Sequence, residues 1–226
     1  MRISQQIVIT PTSVSLNGQP IQVEQTGEKM LVELYRRFVG DYPKFFKMDT
    51  LCRLGFIAAE LLLQQPEVDA SQLAAVILAN HSASIKNDTD YLATISDGQY
   101  YPSPALFVYT LPNIVTGEIA IRHHIQGETS FYILDNADQL DTLIQSINSP
   151  FQRGHGGVSL PLPKGAGGCV TPPSQRGHGG VSLPLPKGAG GCVTPPSQGG
   201  RGVCYGWCEC CGANEFYAKL QVIWNK

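Results

Sequence analysis

Charged side chains are scarce in this sequence. Asp, Glu, Lys and Arg make up 15% of 226 residues and nearly cancel, leaving a formal net charge of −2. A balance of that kind sets up no field that would recruit nucleic acid or an anionic membrane. Long apolar runs are missing as well. One long uncharged window, 98–117, is broken by Pro102, Pro104 and Pro112, so it reads as a buried segment and not as a membrane span. The opening residues MRISQQIVIT contain one Arg but no extended apolar core, so no signal peptide is expected. The seven Cys are an odd number clustered late, and none lies between Cys52 and Cys169. That usage suits a reducing cytoplasm better than a secreted disulfide frame. A soluble cytoplasmic protein of one domain, or one and a half, is expected.

Residues 152–174, QRGHGGVSLPLPKGAGGCVTPPS, recur letter for letter at 175–197. Each 23-residue unit holds 6 Gly and 4 Pro, a density that neither helix nor strand tolerates. Its few Val and Leu bury too little to offset ordering entropy. Two copies are also too few for a solenoid. Perfect identity suggests a recent in-frame duplication, and 150–200 is expected to be a disordered insertion. KGAGG and GHGG resemble phosphate loops only faintly, because no G-x-x-x-x-G-K-[ST] follows a strand. His155, His178, Cys169 and Cys192 owe their spacing to the duplication and not to a ligand turn. No cofactor is expected.

The remainder, 1–149 and 201–226, is patterned as one α/β domain. IVIT (7–10) reads as a strand, and 14–23 carries Asn-Gly between alternating runs, a hairpin signal. Met30, Leu31, Leu34, Tyr35 and Phe38 recur at helical spacing within 28–39; Leu51, Leu54, Ile57, Ala58, Leu61 and Leu62 do so within 49–64. LAAVILAN (73–80) is a continuous apolar run, as in a strand buried on both faces. A short helix is expected at 88–95, capped by Asp88 or Thr89. A longer one at 105–123 is broken at Pro112, with Thr116, Gly117 and Ala120 small enough to admit another backbone. A buried strand (129–134), a helix (137–147) and two strands (202–210 and 215–224) complete a layered α/β pattern.

Several stretches in this order resemble the β-ketoacyl synthase family of the thiolase fold. They are KMD at 47–49, AAVILAN, DYLATISDG at 90–98, Ser103-Pro104, Leu111-Pro112-Asn113, Gly117, Ile119-Ala120-Ile121-Arg122, Ile125, Gly127, and the tail GVCYGWCEC with Gly206 and Glu209. The resemblance covers one half of the family's duplicated fold, and it extends to half-length synthase-like proteins of pigment-polyene gene sets. It implies work in fatty-acid or polyketide biosynthesis, as an acyltransferase-type protein acting with acyl carrier protein. It also makes Phe107, Tyr109, Leu111, Asn113, Ile114 and Gly117 candidates for an interface or acyl-tunnel segment.

The catalytic residues depart from that family. A decarboxylative condensation needs a thiolate to carry the acyl chain and basic side chains to stabilise the enolate-like intermediate. The family's Cys position falls on or beside Asn136, and the His residues that the family draws from its second half have no counterpart here. His123 and His124, adjacent on a helix, face different ways and read as structural. Cys204, Cys208 and Cys210 would share one side of a strand. A structural zinc site prefers a pair of Cys turns, which this single segment does not supply, so buried small hydrophobes are the plainer reading. Two classes of function remain. One is a non-condensing subunit that pairs with a full-length ketosynthase, or with itself, and shapes an acyl tunnel. The other is a stand-alone acyl-binding or acyl-transfer protein using Cys52 or the late cysteines, or a degenerate non-functional copy.

Overall fold

Asn17 and Gly18 both take positive φ, 53° and 79°, the turn geometry that joins two strands without splaying them. They close the hairpin of β2 (Val14–Leu16) and β3 (Gln19–Ile21), which extends β1 (Arg2–Ile9) antiparallel. The computed structural model describes residues 2–95, 102–147 and 202–224. The expected disordered insertion at 150–200 lies outside the described residues.

Seven strands form one sheet in the order β3-β2-β1-β7-β6-β4-β5. At its centre β4 (Leu73–Asn80) runs parallel to both β5 (Glu128–Ile133) and β6 (Gly202–Gly212). β7 (Glu215–Trp224) pairs antiparallel with β6 and β1. Six of the eight residues of β4 are fully enclosed because helices cover both its faces, which explains its unbroken apolar run.

On one face lie α1 (Glu28–Phe38), α2 (Thr50–Leu63) and α5 (Ile114–His123). α2 is apolar almost all round because it packs on the sheet below and on α1 and α5 beside it. Asp49 starts it by accepting a hydrogen bond from the Cys52 N–H at 2.9 Å. On the other face α6 (Ala137–Ile147) seats Leu140 and Ile144 against Ala75, Ile77, Val203 and Tyr205. No helix among the described residues is long and apolar enough to cross a membrane.

Four expectations shift. The helix expected at 88–95 is α3 (Ile85–Leu92), which begins after Ser84 because the Asn80 side chain folds the 80–83 loop back on Ala83. The helix expected at 105–123 with a break at Pro112 is interrupted there, but over a longer stretch: α4 (Pro104–Val108) and α5 are separated by 109–113. β5 is not a buried strand: among the described residues it is an edge strand, with Glu128, Thr129 and Ile133 exposed. Close helix approach uses a different glycine. A Cβ on Gly55 of α2 would stand 2.5 Å from Val115 Cγ2 of α5, whereas one on Gly117 would meet nothing within 4 Å.

Candidate functional site

Three parallel strands end along one edge of the sheet, where open α/β folds place their ligands. β5 runs into Leu134, whose N–H donates to the Asn80 carbonyl at 2.8 Å, and the chain then turns through Asp135 and Asn136 into α6. Asn136 Oδ1 accepts from the Gln139 N–H at 3.1 Å. Gln139 answers by accepting from the Asp135 N–H and donating to Asp135 Oδ2, both at 3.1 Å. This reciprocal cap consumes the polar groups of the turn on the helix itself. Asn136 is exposed and offers neither a nucleophile nor a titrating proton.

The neighbouring loop after β4 is tied down by Glu209 near the end of β6. Its carboxylate accepts from the His81 N–H at 2.8 Å, from the Ser82 N–H at 3.3 Å, and from the Ser82 hydroxyl. Cys211 Sγ lies 3.7 Å from Ser82 Oγ and is the one exposed thiol among the described residues. The other described cysteines point inward. Burial pushes the thiols of Cys204 and Cys210 up to about 12 and those of Cys52 and Cys208 well above their ordinary value. Protonated, enclosed thiols of this kind are packing groups, not nucleophiles. Among the described residues no group of three or more His, Cys, Asp or Glu is placed to hold a metal ion.

The segment 103–122 divides its candidate residues between two directions. Ser103 and Pro104 start α4: the Ser hydroxyl accepts from the Leu106 N–H at 3.4 Å, and Pro loses no helical bond at the first position. Phe107 is 56% exposed and Leu111 53%, a large apolar display for so short a stretch. Tyr91 of α3 supports Phe107, ring centroids 5.6 Å apart. Asn113 is exposed, Ile114 is half-buried, and Gly117 faces open space. Tyr109 instead turns into the core, where burial pushes its phenol up to about 12.

Behind that segment stand two buried carboxylates that apolar periodicity did not single out. Glu60 is fully enclosed in α2, yet Arg122 Nε lies 3.2 Å and His123 Nε2 2.8 Å from its Oε1, and Gln64 Nε2 donates to its Oε2 at 2.8 Å. Arg122 continues outward to Asp41 at 2.6 Å. Glu118 of α5 accepts from the Tyr42 hydroxyl at 2.8 Å and pairs with Lys44. The available signals were the lone Glu in an otherwise apolar helix and the i, i+4 spacing of Glu118 and Arg122. The adjacent histidines do diverge: His123 turns inward to Glu60, and His124 ends α5 exposed, in the left-handed conformation at φ 55°.

No family model matches the sequence, and no curated protein matches it. The fold is nonetheless similar to that of solved structures. One is the ishigamide ketosynthase/chain length factor, with a TM-score of 0.59 and 13% identity over 99% of this chain and 61% of that one. Another is the ketosynthase ApeO in complex with its chain length factor ApeC from Xenorhabdus doucetiae, with a TM-score of 0.52 and 12% identity over 99% of this chain and 79% of that one. The chain thus spans about three-fifths of the length of the first of these proteins. In architecture it has the thiolase-like α/β fold of ketosynthases and chain length factors.

Proposed function

We propose that this protein is a non-condensing subunit that associates with a full-length ketosynthase of fatty-acid or polyketide biosynthesis and shapes the acyl tunnel of that enzyme. One observation carries the reading. At the strand-to-helix turn, where a condensing enzyme of this fold would present a thiolate, Asn136 is closed into a cap with Gln139. A carboxamide cannot form the thioester that condensation requires. Phe107, Leu111, Asn113, Ile114 and Gly117 are the surface offered to the partner, with Tyr109 fixing the segment from beneath. Acyl carrier protein would reach the assembly through the ketosynthase, in the cytoplasm. Residues 1–149 and 201–226 form the working domain in this reading, and 150–200 is an insertion in it.

The test is reconstitution. The chain, a full-length ketosynthase and acyl carrier protein are co-purified and assayed for condensation. The expected result is a complex whose product length depends on this chain, while the chain alone yields no product. Condensation by the isolated chain, or an unchanged product spectrum when it is omitted, would sink the proposal.

A further inference from the structure

A pocket of about 180 Å³ lies where the starts of α1 and α2 meet α3, α4 and the end of β6, and no residue of the turn at Asn136 lines it. Met48, Thr50, Asn87 and Cys210 are its buried members. Its volume falls below the range of about 300–1,000 Å³ that holds drug-sized ligands, so its occupant is a compact molecule.

Asn87 of α3 carries the signal. It is 2% exposed, and its Nδ2 donates to the Leu106 carbonyl of α4 at 2.8 Å, yet its Oδ1 has no hydrogen-bond partner. A buried acceptor without a donor is costly, and folded proteins rarely keep one without a use for it. The donors of the lining are engaged elsewhere. Thr50 Oγ1 donates to Glu28 Oε1 at 2.6 Å, and Lys86 is paired with Asp90. Arg53 reaches the Phe45 and Phe46 carbonyls at 3.3 and 3.0 Å. Acceptors are in excess, since Glu28, Asp49 and Asp90 set three carboxylates against those two cations. Asp49 takes the Cys52 N–H on Oδ1, and a carboxylate has lone pairs for more than one donor.

We propose that this pocket binds a short primary alkylammonium ion, its N–H groups directed to Asn87 Oδ1 and to the Asp49 and Glu28 carboxylates. A primary ammonium brings three donors and one positive charge, the two things that the lining lacks. The alkyl part is selected by the rest of the wall. Met48, Leu51, Leu106 and Cys210 give an inorganic cation nothing to coordinate, but they cover a few methylene groups. No group of three or more His, Cys, Asp or Glu among the described residues is placed to hold a metal ion, here or elsewhere. The inference goes beyond the partner reading above and does not rest on it.

The full chain alone tests it, with propylammonium chloride as the probe in calorimetric titration and in amide NMR spectra. One saturable site is expected, with amide shifts concentrated at 49–51 and 86–90. Tetramethylammonium has the charge without N–H donors, and propanol lacks the charge. Each should bind at least about tenfold more weakly. Asn87→Leu removes the unpartnered oxygen, and Glu28→Gln removes a charge while keeping an acceptor for Thr50. Each variant should lose about tenfold in propylammonium affinity with an unchanged circular dichroism spectrum. Should Asn87→Leu misfold, Glu28→Gln and the two control ligands decide. The proposal is overturned by absence of saturable binding, by equal binding of tetramethylammonium, by shifts confined to other residues, or by undiminished affinity in either folded variant.

Discussion

His123 Nε2 lies 2.8 Å from Oε1 of Glu60, and the fully buried Glu60 receives Arg122 on the same oxygen at 3.2 Å. This contact fastens the C-terminal end of α5 to α2, beside the apolar packing of the two helices. Burial alone would push the Glu60 carboxyl up, but the His123 and Arg122 contacts outweigh it and hold the group below its ordinary value. Removing one partner leaves the charge enclosed, so Arg122→Ala should cost about 3–5 kcal/mol in denaturant unfolding. Because the folded pKa is depressed, the stabilisation is present above the unfolded value of 4.5 and is lost as pH falls through the folded one. Wild-type melting temperature should therefore fall more steeply below about pH 4.5 than that of Glu60→Gln. Parallel curves would show that folding leaves the Glu60 pKa unshifted.

Asp49 should behave in the opposite sense. Burial pushes its carboxyl up to about 6, against its bond from the Cys52 N–H and the nearby Arg53. A carboxyl whose folded pKa is raised binds its proton more tightly when folded. Its contribution is complete below the unfolded value of 3.8 and declines as pH rises through about 6. Asp49→Asn keeps an N-cap oxygen and removes the titration, so its unfolding free energy should lack that decline. Relative to the Asn variant, Asp49→Ala should lose about 1 kcal/mol at every pH through the missing cap. A wild-type profile as flat as that of the Asn variant would contradict the assignment.

Two glycines separate core from surface. Gly55→Leu forces a side chain into Val115, and overpacking of this kind costs about 1–3 kcal/mol or more, read as a lowered melting temperature. Gly117→Trp projects into open space and should leave the melting temperature unchanged. If 103–122 is the partner surface, the Trp variant should nevertheless fail to co-elute with wild-type chain or ketosynthase in size-exclusion runs. Unfolding of the Trp variant, or undiminished co-elution, would remove that surface from consideration.

Most elements were legible because their signals are local. Asn17-Gly18 marks a hairpin by backbone freedom alone, and the apolar run of β4 reports burial on two faces. The errors arose where the outcome depends on distant partners. Nothing within 129–134 distinguishes a central strand from an edge strand, since that depends on which strand comes to lie beside it. Gly117 and Gly55 look alike in sequence, and only the packing of α2 on α5 decides which one carries the contact. Asn136 was found through resemblance, whereas its hydrogen bond from Gln139 required coordinates. The lone Glu60 in an apolar helix signals that something must pair it, but not which residues: Arg122 and His123 reach it from about sixty residues away.

Excision of the repeats is expected to leave the domain intact. Loop-closure entropy changes by only about 0.6 kcal/mol per doubling of loop length, so a long connection between α6 and β6 is thermodynamically cheap. Deleting 152–198 should change the melting temperature little and leave the circular dichroism spectrum of the ordered part in place. A large drop in melting temperature on deletion would show that the repeats belong to the fold.

The turn at Asn136 leads to the final expectation. Incubated with acyl-loaded carrier protein, the isolated chain should acquire no acyl mass at 134–138 by peptide mass spectrometry, because the Asn carboxamide is neither nucleophilic nor ionisable at neutral pH. Cys211 is the internal control, since it is the exposed thiol among the described residues. A general alkylating reagent should label Cys211 well before the enclosed Cys52, Cys204, Cys208 and Cys210, whose thiols burial keeps protonated. Replacing Asn136 by Cys puts a thiol at the start of α6, where the helix N-terminus favours its ionised form. That variant should take up a thiol reagent faster than Cys211 does, yet still yield no condensation product without the basic side chains that stabilise the enolate-like intermediate. A stable acyl adduct on the wild-type turn, or product from the Asn136→Cys chain by itself, would show that the fold retains a condensing centre.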